Sequence, residues 1–189
     1  MTKAQRSQDS RGKLLTAAEN VILAKGISSL TLEAVAAEAG ISKGGLLYHF
    51  ASKEALIVGL VEKLVGEITA DLEEAYAAEP EGPGRAARAM IAESASRTGH
   101  AREQRRERIG AALLAAAGSN PELLEPMQQA FATWMKELGD DGLPPGVAMV
   151  VAAALDGFTF WQIFGLYRPT KTGSRDAMNF LKQLAAGKS

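Results

Sequence analysis

The chain has 189 residues and is 47% hydrophobic, which is enough apolar material for a buried core and excludes global disorder. Its 21 basic and 22 acidic residues give a net charge of -1, so overall charge neither demands nor excludes a nucleic-acid partner. The absence of cysteine excludes disulfides, thiolate metal sites and thiol nucleophiles.

The start of the chain is polar and mildly basic. Residues 1–63 carry 8 basic and 6 acidic side chains, and the remainder carries 13 basic and 16 acidic ones. The first residues, MTKAQRSQDSRGK, lack the apolar segment of a signal peptide. We therefore predict a cytoplasmic protein whose residues 1–63 are mildly basic and whose remainder is acidic.

Apolar residues recur with helical spacing along the chain, and no segment alternates with a period of two, so the predicted fold class is all-α. A first helix ends at Gly26. The residues predicted to form its buried face are Leu14, Leu15, Ala18, Val21 and Ile22.

A helix-turn-helix follows this first helix. Thr31 is expected to cap a short second helix, because its oxygen can accept a hydrogen bond from a first-turn amide. Gly40 should end that helix, Ile41 should turn into the core, and Ser42 should cap a third helix. Such a unit presents its last helix outward.

The fourth helix is predicted from Lys53 to about Ala77, and the stretch Ala78–Gly84 is the clearest break in the chain. Asn120 followed by Pro121 is a helix-start signal. The remaining predicted helices cover residues 85–98, 101–117, 121–138, 145–166 and 174–186.

The segment from Thr31 to Leu56 resembles the TetR family of one-component repressors, and the resemblance is close across Leu14 to Leu56. It is carried by Thr31, by A-G-I-S at the turn, by K-G before the third helix, by H-F at its end and by S-K-E-A-L opening the fourth. Beyond residue 65 only the helical plan is similar. The resemblance implies an N-terminal helix-turn-helix DNA-binding domain, residues 1–56, and a C-terminal helical-bundle domain, residues 57–189, for regulation and dimerisation.

We expect the third helix to enter the major groove of double-stranded DNA, with Lys43 near guanine and Leu47 near a thymine methyl group. Gly44 and Gly45 would allow close approach of the backbone. Gly45 and Leu47 depart from the commonest residues of the family, and Glu33 stands where some relatives have a basic residue. The predicted DNA-binding residues are Thr31, Ser42, Lys43, Gly44, Gly45, Leu47, Tyr48, His49 and Lys53.

The segment from Val147 to Leu166 is apolar and about as long as a membrane span. Asp156 interrupts it near the centre, so we predict a helix that is buried all round and no membrane association. Because one monomer does not easily bury such a helix, we expect a homodimer, as the resemblance also implies. The residues predicted for the interface are Phe180, Leu181 and Leu184, together with Ala177 on the same face.

The resemblance further implies a pocket for a small-molecule effector in the C-terminal domain. Large adaptable side chains and a few polar anchors are concentrated there, and the alternative is that they only fill an ordinary core. We expect Asp156 to be buried and to need a donor. The predicted pocket residues are Met90, Leu113, Met127, Phe131, Trp134, Asp156, Phe158, Thr159, Trp161 and Gln162.

The resulting hypothesis is a repressor that binds a palindromic operator as a homodimer and is released by a small apolar or aromatic effector. The alternative is a DNA-binding protein without an effector, either architectural or controlled by a partner. An enzyme is disfavoured because the two histidines, His49 and His100, are far apart and no hydrolase or nucleotide-binding motif is present. We predict no cofactor and no metal. The arginines of residues 102–108 alternate with glutamates, which predicts a solvated helix face.

Overall fold

A computed structural model of the protein describes residues 3–96 and 101–187, and this part of the chain is helical, without a β-strand. The predicted all-α class is confirmed. The α-helices are α1 (Lys3–Lys25), α2 (Leu32–Ala39), α3 (Lys43–Leu47), α4 (Lys53–Ala78), α5 (Arg85–Ser96), α6 (Ala101–Ala117), α7 (Glu125–Gly139), α8 (Pro145–Phe164) and α9 (Lys171–Ala185), with 3₁₀ turns at Ile27–Ser29 and Pro121–Leu124.

Several predicted boundaries differ from these by a few residues. Helix α8 ends at Phe164 and not at residue 166, and α9 spans Lys171–Ala185 and not 174–186. The helix expected from residue 121 begins at Glu125, because Pro121–Leu124 forms a 3₁₀ turn. Such tighter turns are frequent at the ends of α-helices. The helix expected at 85–98 is described to Ser96, and its last two residues, like His100, lie outside the described ranges.

Contacts along the chain divide it into two compact units. The N-terminal unit comprises the chain up to Val65 together with Arg108–Met127, and the C-terminal unit comprises Gly66–Glu107 together with the chain from Gln128 onward. Helices α4, α6 and α7 thus each contribute to both units. The predicted domain boundary after residue 56 stays a prediction.

The N-terminal unit has a core of large apolar side chains from α1 to α4 and from the second half of α6. The predicted inner face of α1 is confirmed, since Leu14, Leu15, Ala18, Val21 and Ile22 are all buried. Polar contacts reinforce this packing, because Lys63 on α4 donates to the buried carboxylate of Glu19 at 2.5 Å and Arg108 donates to the carbonyl of Leu23 at 2.6 Å.

The C-terminal unit has its own core of side chains from α5, α7, α8 and α9, which include Ile91, Leu138 and Val151. Asp141 fixes the start of α5, because its carboxylate accepts hydrogen bonds from the amides of Ala86 and Ala87 at 2.9 and 3.0 Å. These amides have no partner within the helix, and a negative group is favoured at a helix N-terminus.

Candidate nucleic-acid interface

The helix-turn-helix is built by three local devices. Thr31 Oγ1 accepts from the amide of Ala34, and Ser42 Oγ accepts from the amide of Gly45, each at 3.1 Å, so both predicted N-caps are confirmed. Between them Gly40 adopts a left-handed conformation with φ of 68°, which residues with a Cβ rarely adopt. The chain thereby turns from α2 into α3 within three residues.

The inner side of the motif is apolar, as predicted. Val35 and Leu46 are fully buried, and Phe50 and Leu56 belong to the same core. One expectation was wrong: Ile41 in the turn is 40% exposed rather than tucked into the core. Val35 on α2 and Leu46 on α3 take the buried positions of the motif instead.

The structure places most of the predicted DNA-binding residues on the surface of the motif. Thr31, Ser42, Lys43, Gly44, Leu47 and Tyr48 are exposed, whereas Gly45, His49 and Lys53 are half-buried. Among the large apolar and aromatic side chains of the described residues, Tyr48 is the most exposed, at 77%, and the centroids of its ring and of the His49 ring lie 5.1 Å apart in an edge-on arrangement. The surface formed by α3 and the two residues after it therefore combines a cation, a phenol and an imidazole.

Some hydroxyl groups and glycines of the motif remain available to contact a ligand. Thr31 and Ser42 use their oxygens as acceptors for the caps, which leaves each O–H as a donor. A methyl group added at Gly44 would meet only Ser42 Oγ, at 3.9 Å, which is an ordinary contact. Packing within the chain therefore does not require glycine at this position.

An ion pair joins α2 to α3 at this surface. Lys43 Nζ lies 2.6 Å from Glu33 Oε1, and the two side chains are 54% and 63% exposed. The hydrogen bond from Lys43 is the main reason that the pKa of Glu33 lies below its ordinary value, with its backbone amide and the charge of Lys43 contributing in the same direction. Sequence reasoning missed this pair, because it located the turn but not the directions in which the side chains at positions 33 and 43 point after α2 and α3 have packed.

The opening of α4 completes the motif. Ser52 Oγ accepts from the amide of Ala55 at 3.1 Å and caps the helix that begins at Lys53. The pKa of Glu54 is lowered by its backbone amide and then by the Ser52 hydroxyl. Lys53 is a cation in the first turn, where the helix dipole disfavours it.

The ten residues predicted for an effector pocket are divided between the two compact units. Leu113 is buried in the core of the N-terminal unit and Met127 packs against that core, whereas Met90 and Phe158 pack against the core of the C-terminal unit. Two aromatic pairs do form, Phe131 with Trp134 at 5.5 Å and Phe158 with Trp161 at 5.4 Å between ring centroids. The remaining predicted residues are Asp156, Thr159 and Gln162.

The expected burial of Asp156 was wrong. Asp156 and Gln162 are exposed on α8, and Thr159 is half-buried with its hydroxyl donating to the carbonyl of Leu155 at 3.1 Å. The buried side of α8 instead carries Val151 and Leu155. Within the described chain Asp156 therefore carries little desolvation penalty.

The C-terminal unit holds an open cavity of about 470 Å³ between α4, α5 and α6. Its lining includes the carboxylates of Asp71, Glu74, Glu93 and Glu103, and the guanidinium of Arg102. None of the ten predicted pocket residues lines this cavity. Among the described residues, no three histidine or carboxylate side chains converge to hold a metal ion.

Beside this cavity Arg106 corrects the prediction of a solvated arginine face on α6. Its side chain is 5% exposed, and its Nη2 lies 2.6 Å from Asp71 Oδ2. Three further carboxylates lie within 4 Å of the guanidinium: Glu67, Glu93 and Glu103 at 3.9, 3.8 and 3.6 Å. Burial raises the pKa of Asp71, but hydrogen bonds and charge from Arg106 and Arg102 outweigh it and hold that pKa below its ordinary value.

Helix α8 is not buried all round within one chain. Its stretch Gly146–Phe164 is long and apolar enough to cross a membrane, yet only 22% of the span is buried. Its exposed apolar side chains include Met149, Val150, Phe160 and Phe164, at 65, 54, 51 and 49%. Length and composition alone are weak evidence for a span, because a helix at a protein interface meets the same test.

The predicted interface face of α9 is partly corrected. Leu181 is 5% exposed and belongs to the core of its own chain, and Leu184 packs against that core. Phe180 is 59% exposed. Phe180 and Leu181 are neighbours in sequence and point about 100° apart around the helix axis, so one is exposed while the other is buried.

Comparison with known proteins gives matches over both parts of the chain. Residues 14–60 match the family model described as bacterial regulatory proteins, tetR family. Residues 84–186 match the model described as Tetracyclin repressor-like, C-terminal domain.

Individual relatives agree with these models. The HTH-type transcriptional regulator CymR of Pseudomonas putida is 35% identical over 68 residues, which is 36% of this chain and about a third, 34%, of CymR. A transcriptional regulator from Streptomyces coelicolor A3(2) has the same fold, with a TM-score of 0.74, 21% identity and coverage of 93% of this chain and 98% of that one. The multidrug binding protein EbrR, complexed with malachite green, gives a TM-score of 0.62 at 27% identity, over 92% of this chain and 96% of EbrR.

The C-terminal model alone spans more than half of the chain, and the N-terminal model covers the helix-turn-helix described above. Structural likeness extends over almost the whole chain. The chain therefore belongs to the TetR family of bacterial transcriptional regulators.

Proposed function

We propose that this regulator is a cytoplasmic repressor that binds a palindromic operator as a homodimer and is released by a small apolar or aromatic effector. The observation that carries DNA binding is the outward surface of α3, where Lys43, Leu47 and Tyr48 are exposed above a fully buried inner side. A short helix held rigidly from below and polar above fits the major groove.

Each residue of this surface has a role in the proposal. Lys43 at the start of α3 donates to guanine, and Leu47 contacts a thymine methyl group. Tyr48, His49 and Lys53 donate to phosphates, as do the hydroxyl groups of Thr31 and Ser42. The glycines at 44 and 45 let the backbone approach the DNA, a role that the ordinary packing around Gly44 supports.

The test is DNA binding measured over a range of salt concentrations. Operator fragments are selected from genomic DNA, and dissociation constants are compared for the wild type, Lys53→Ala and Tyr48→Phe. Lys53→Ala should weaken binding to all sequences and reduce the salt slope by about 0.9, the value for one phosphate contact. Tyr48→Phe should weaken binding without changing that slope, because it removes a neutral donor.

Glu62→Gln provides a control from α4, since Glu62 pairs with Arg11 at 2.6 Å on another part of the N-terminal unit. DNA binding by both test variants at wild-type strength would show that the proposed surface is not the interface.

Dimerisation is supported by the exposed apolar side chains of α8 and by Phe180 on α9. A two-fold symmetric dimer presents two copies of α3, so its operator is a palindrome with half-sites about one helical turn apart or more. The selected fragments should therefore contain an inverted repeat.

An effector is supported by EbrR, which is similar to this chain and whose structure contains malachite green. The exposure of Phe131, Trp161 and Gln162 favours the alternative, a regulator without an effector, because a binding pocket encloses most of its ligand. Titration with malachite green decides between the two. Binding in the predicted region should quench the fluorescence of Trp134 and Trp161 and weaken operator binding. An unchanged operator affinity would support the alternative, a regulator without an effector.

A further inference from the structure

The ion pair between Glu33 and Lys43 contributes little to the fold. Both side chains are more than half exposed, and solvent screens an exposed ion pair of this kind, so that it stabilises the fold only weakly. On a surface that meets phosphates, the carboxylate of Glu33 also opposes binding. A residue with little structural benefit and an electrostatic cost at this place calls for a role in recognition.

The position of the pair is suited to reading bases. Glu33 lies in the first turn of α2, two residues after the cap Thr31, and Lys43 is the first residue of α3, directly after the cap Ser42. Their charged ends are 2.6 Å apart. A hydrogen-bond donor and an acceptor are therefore held side by side before DNA binds.

A G·C base pair presents a matching pattern in the major groove. Guanine offers two adjacent acceptors, N7 and O6, and cytosine offers the N4 amino group as a donor beside them. The Lys43 ammonium has three donors, so it can contact guanine while it keeps its ion pair with Glu33. The carboxylate of Glu33 can accept from cytosine N4.

We propose that Glu33 and Lys43 act together to read one G·C base pair in each half-site of the operator. This inference rests on the proposed DNA binding and adds Glu33 to the specificity-determining residues. The two side chains distinguish G·C from A·T by the order of hydrogen-bond donors and acceptors in the major groove. An A·T pair places a donor between two acceptors, so the carboxylate would face an acceptor and the ammonium would face a donor.

The experiment measures base preference at every position of the selected operator. Each base pair of the half-site is replaced in turn by the other three, and dissociation constants are measured for the wild type, Glu33→Gln, Lys43→Met and the double variant. For the wild type, replacing the G·C pair read by Glu33 and Lys43 should weaken binding about tenfold or more.

In Glu33→Gln this penalty should shrink to about threefold or less at the same base pair, while penalties at the other positions stay as in the wild type. Lys43→Met should remove the preference at that base pair as well, and the double variant should add little to either single change, because the two residues read one feature. Non-additivity of this kind is the mark of residues that act as a unit.

Glu38→Gln is the matched control. Glu38 is an exposed carboxylate on the same helix, α2, and accepts a hydrogen bond from Asn20 at 3.2 Å. Its removal deletes the same charge without touching Lys43, so the base preference should not change. Circular dichroism confirms that the variants are folded, which is expected for substitutions at exposed positions.

One result would overturn this inference and leave the proposed DNA binding intact. In that result Glu33→Gln binds every operator variant more tightly by the same factor, as Glu38→Gln does. The carboxylate would then act only through repulsion of phosphates. If the wild type shows no sequence preference in any selected DNA, the proposed function fails first and this inference fails with it.

Discussion

At the scale of single residues, the most consequential finding in the C-terminal unit is Arg106. Its guanidinium is almost fully buried and lies within 4 Å of four carboxylates. Glu93 is the most buried of the four, since only 4% of its side chain is exposed. Two or more buried carboxylates are tolerated only beside a compensating cation. Arg106 therefore allows α4, α5 and α6 to approach one another in this unit.

Replacement of Arg106 by Met should lower the free energy of unfolding by about 3–5 kcal/mol, because it leaves Asp71 and Glu93 without their central cation. Arg102→Ala is the control, since Arg102 contacts the same Asp71 at 3.0 Å but is 61% exposed. Its effect should stay below about 1 kcal/mol. Urea denaturation of both variants makes the comparison, and equal losses would contradict the central role of Arg106.

The lowered pKa of Asp71 predicts a loss of stability in acid. The unfolded chain binds a proton at Asp71 more readily than the folded chain does. The stabilisation that ionised Asp71 gives the fold is therefore complete above the ordinary carboxyl pKa of about 4, and it is lost as the pH falls below that value. Thermal unfolding of the wild type between pH 7 and pH 2.5 should show this decline. Asp71→Asn should be less stable at neutral pH and should decline less in acid, whereas an identical acid profile would contradict the prediction.

At the scale of elements, α4 depends on a glycine for its packing. A Cβ at Gly59 would lie 2.7 Å from the ring of Phe50 and 3.2 Å from Leu15, and both of these side chains are buried. The last residue of the helix-turn-helix can therefore pack directly on the backbone of α4.

Gly59→Ala should destabilise the N-terminal unit by about 1–3 kcal/mol, because a methyl group overfills this core. Gly66→Ala offers a control on the same helix, since a Cβ there meets nothing within 4 Å. That change should stabilise the protein by about 1 kcal/mol through helix propensity. Melting temperatures of the two variants should therefore move in opposite directions, and a shift of both in one direction would be evidence against this packing.

At the scale of the whole molecule, the apolar surface of α8 and α9 bears on assembly. The rings of Phe160 and Phe164 contact each other at a tilt of 44°, with 4.5 Å between ring centroids, and each side chain is about half exposed. Exposed apolar groups in such number favour contact with another surface. The homodimer of the proposed function covers them with a second copy of the same chain.

Phe180→Asp should therefore yield a folded monomer with weakened operator binding, because it places a charge in the apolar interface. Leu181→Asp should reduce helix content instead, since Leu181 lies in the core of its own chain. Lys182→Asp reverses a charge on an exposed position about 200° around the helix from Phe180 and should leave the dimer intact. Sedimentation velocity with circular dichroism separates these outcomes, and a wild-type dimer for Phe180→Asp would place the interface elsewhere.

The sequence by itself determined the helices, the caps at Thr31 and Ser42, and the turn at Gly40. These features depend on hydrogen bonds and backbone conformations within a few residues, so local residue types are sufficient to predict them. The inner face of α1 and the family resemblance follow equally from spacing and motif. The DNA-binding surface could be located for the same reason.

Only the tertiary structure decided which side of a helix is buried when both sides are apolar or both are charged. On α8 it exposes Asp156, on α9 it buries Leu181, and on α6 it buries Arg106. It also brings Glu33 to Lys43. These outcomes depend on partners that are distant along the chain, and helical periodicity specifies the spacing of a face but not what packs against it.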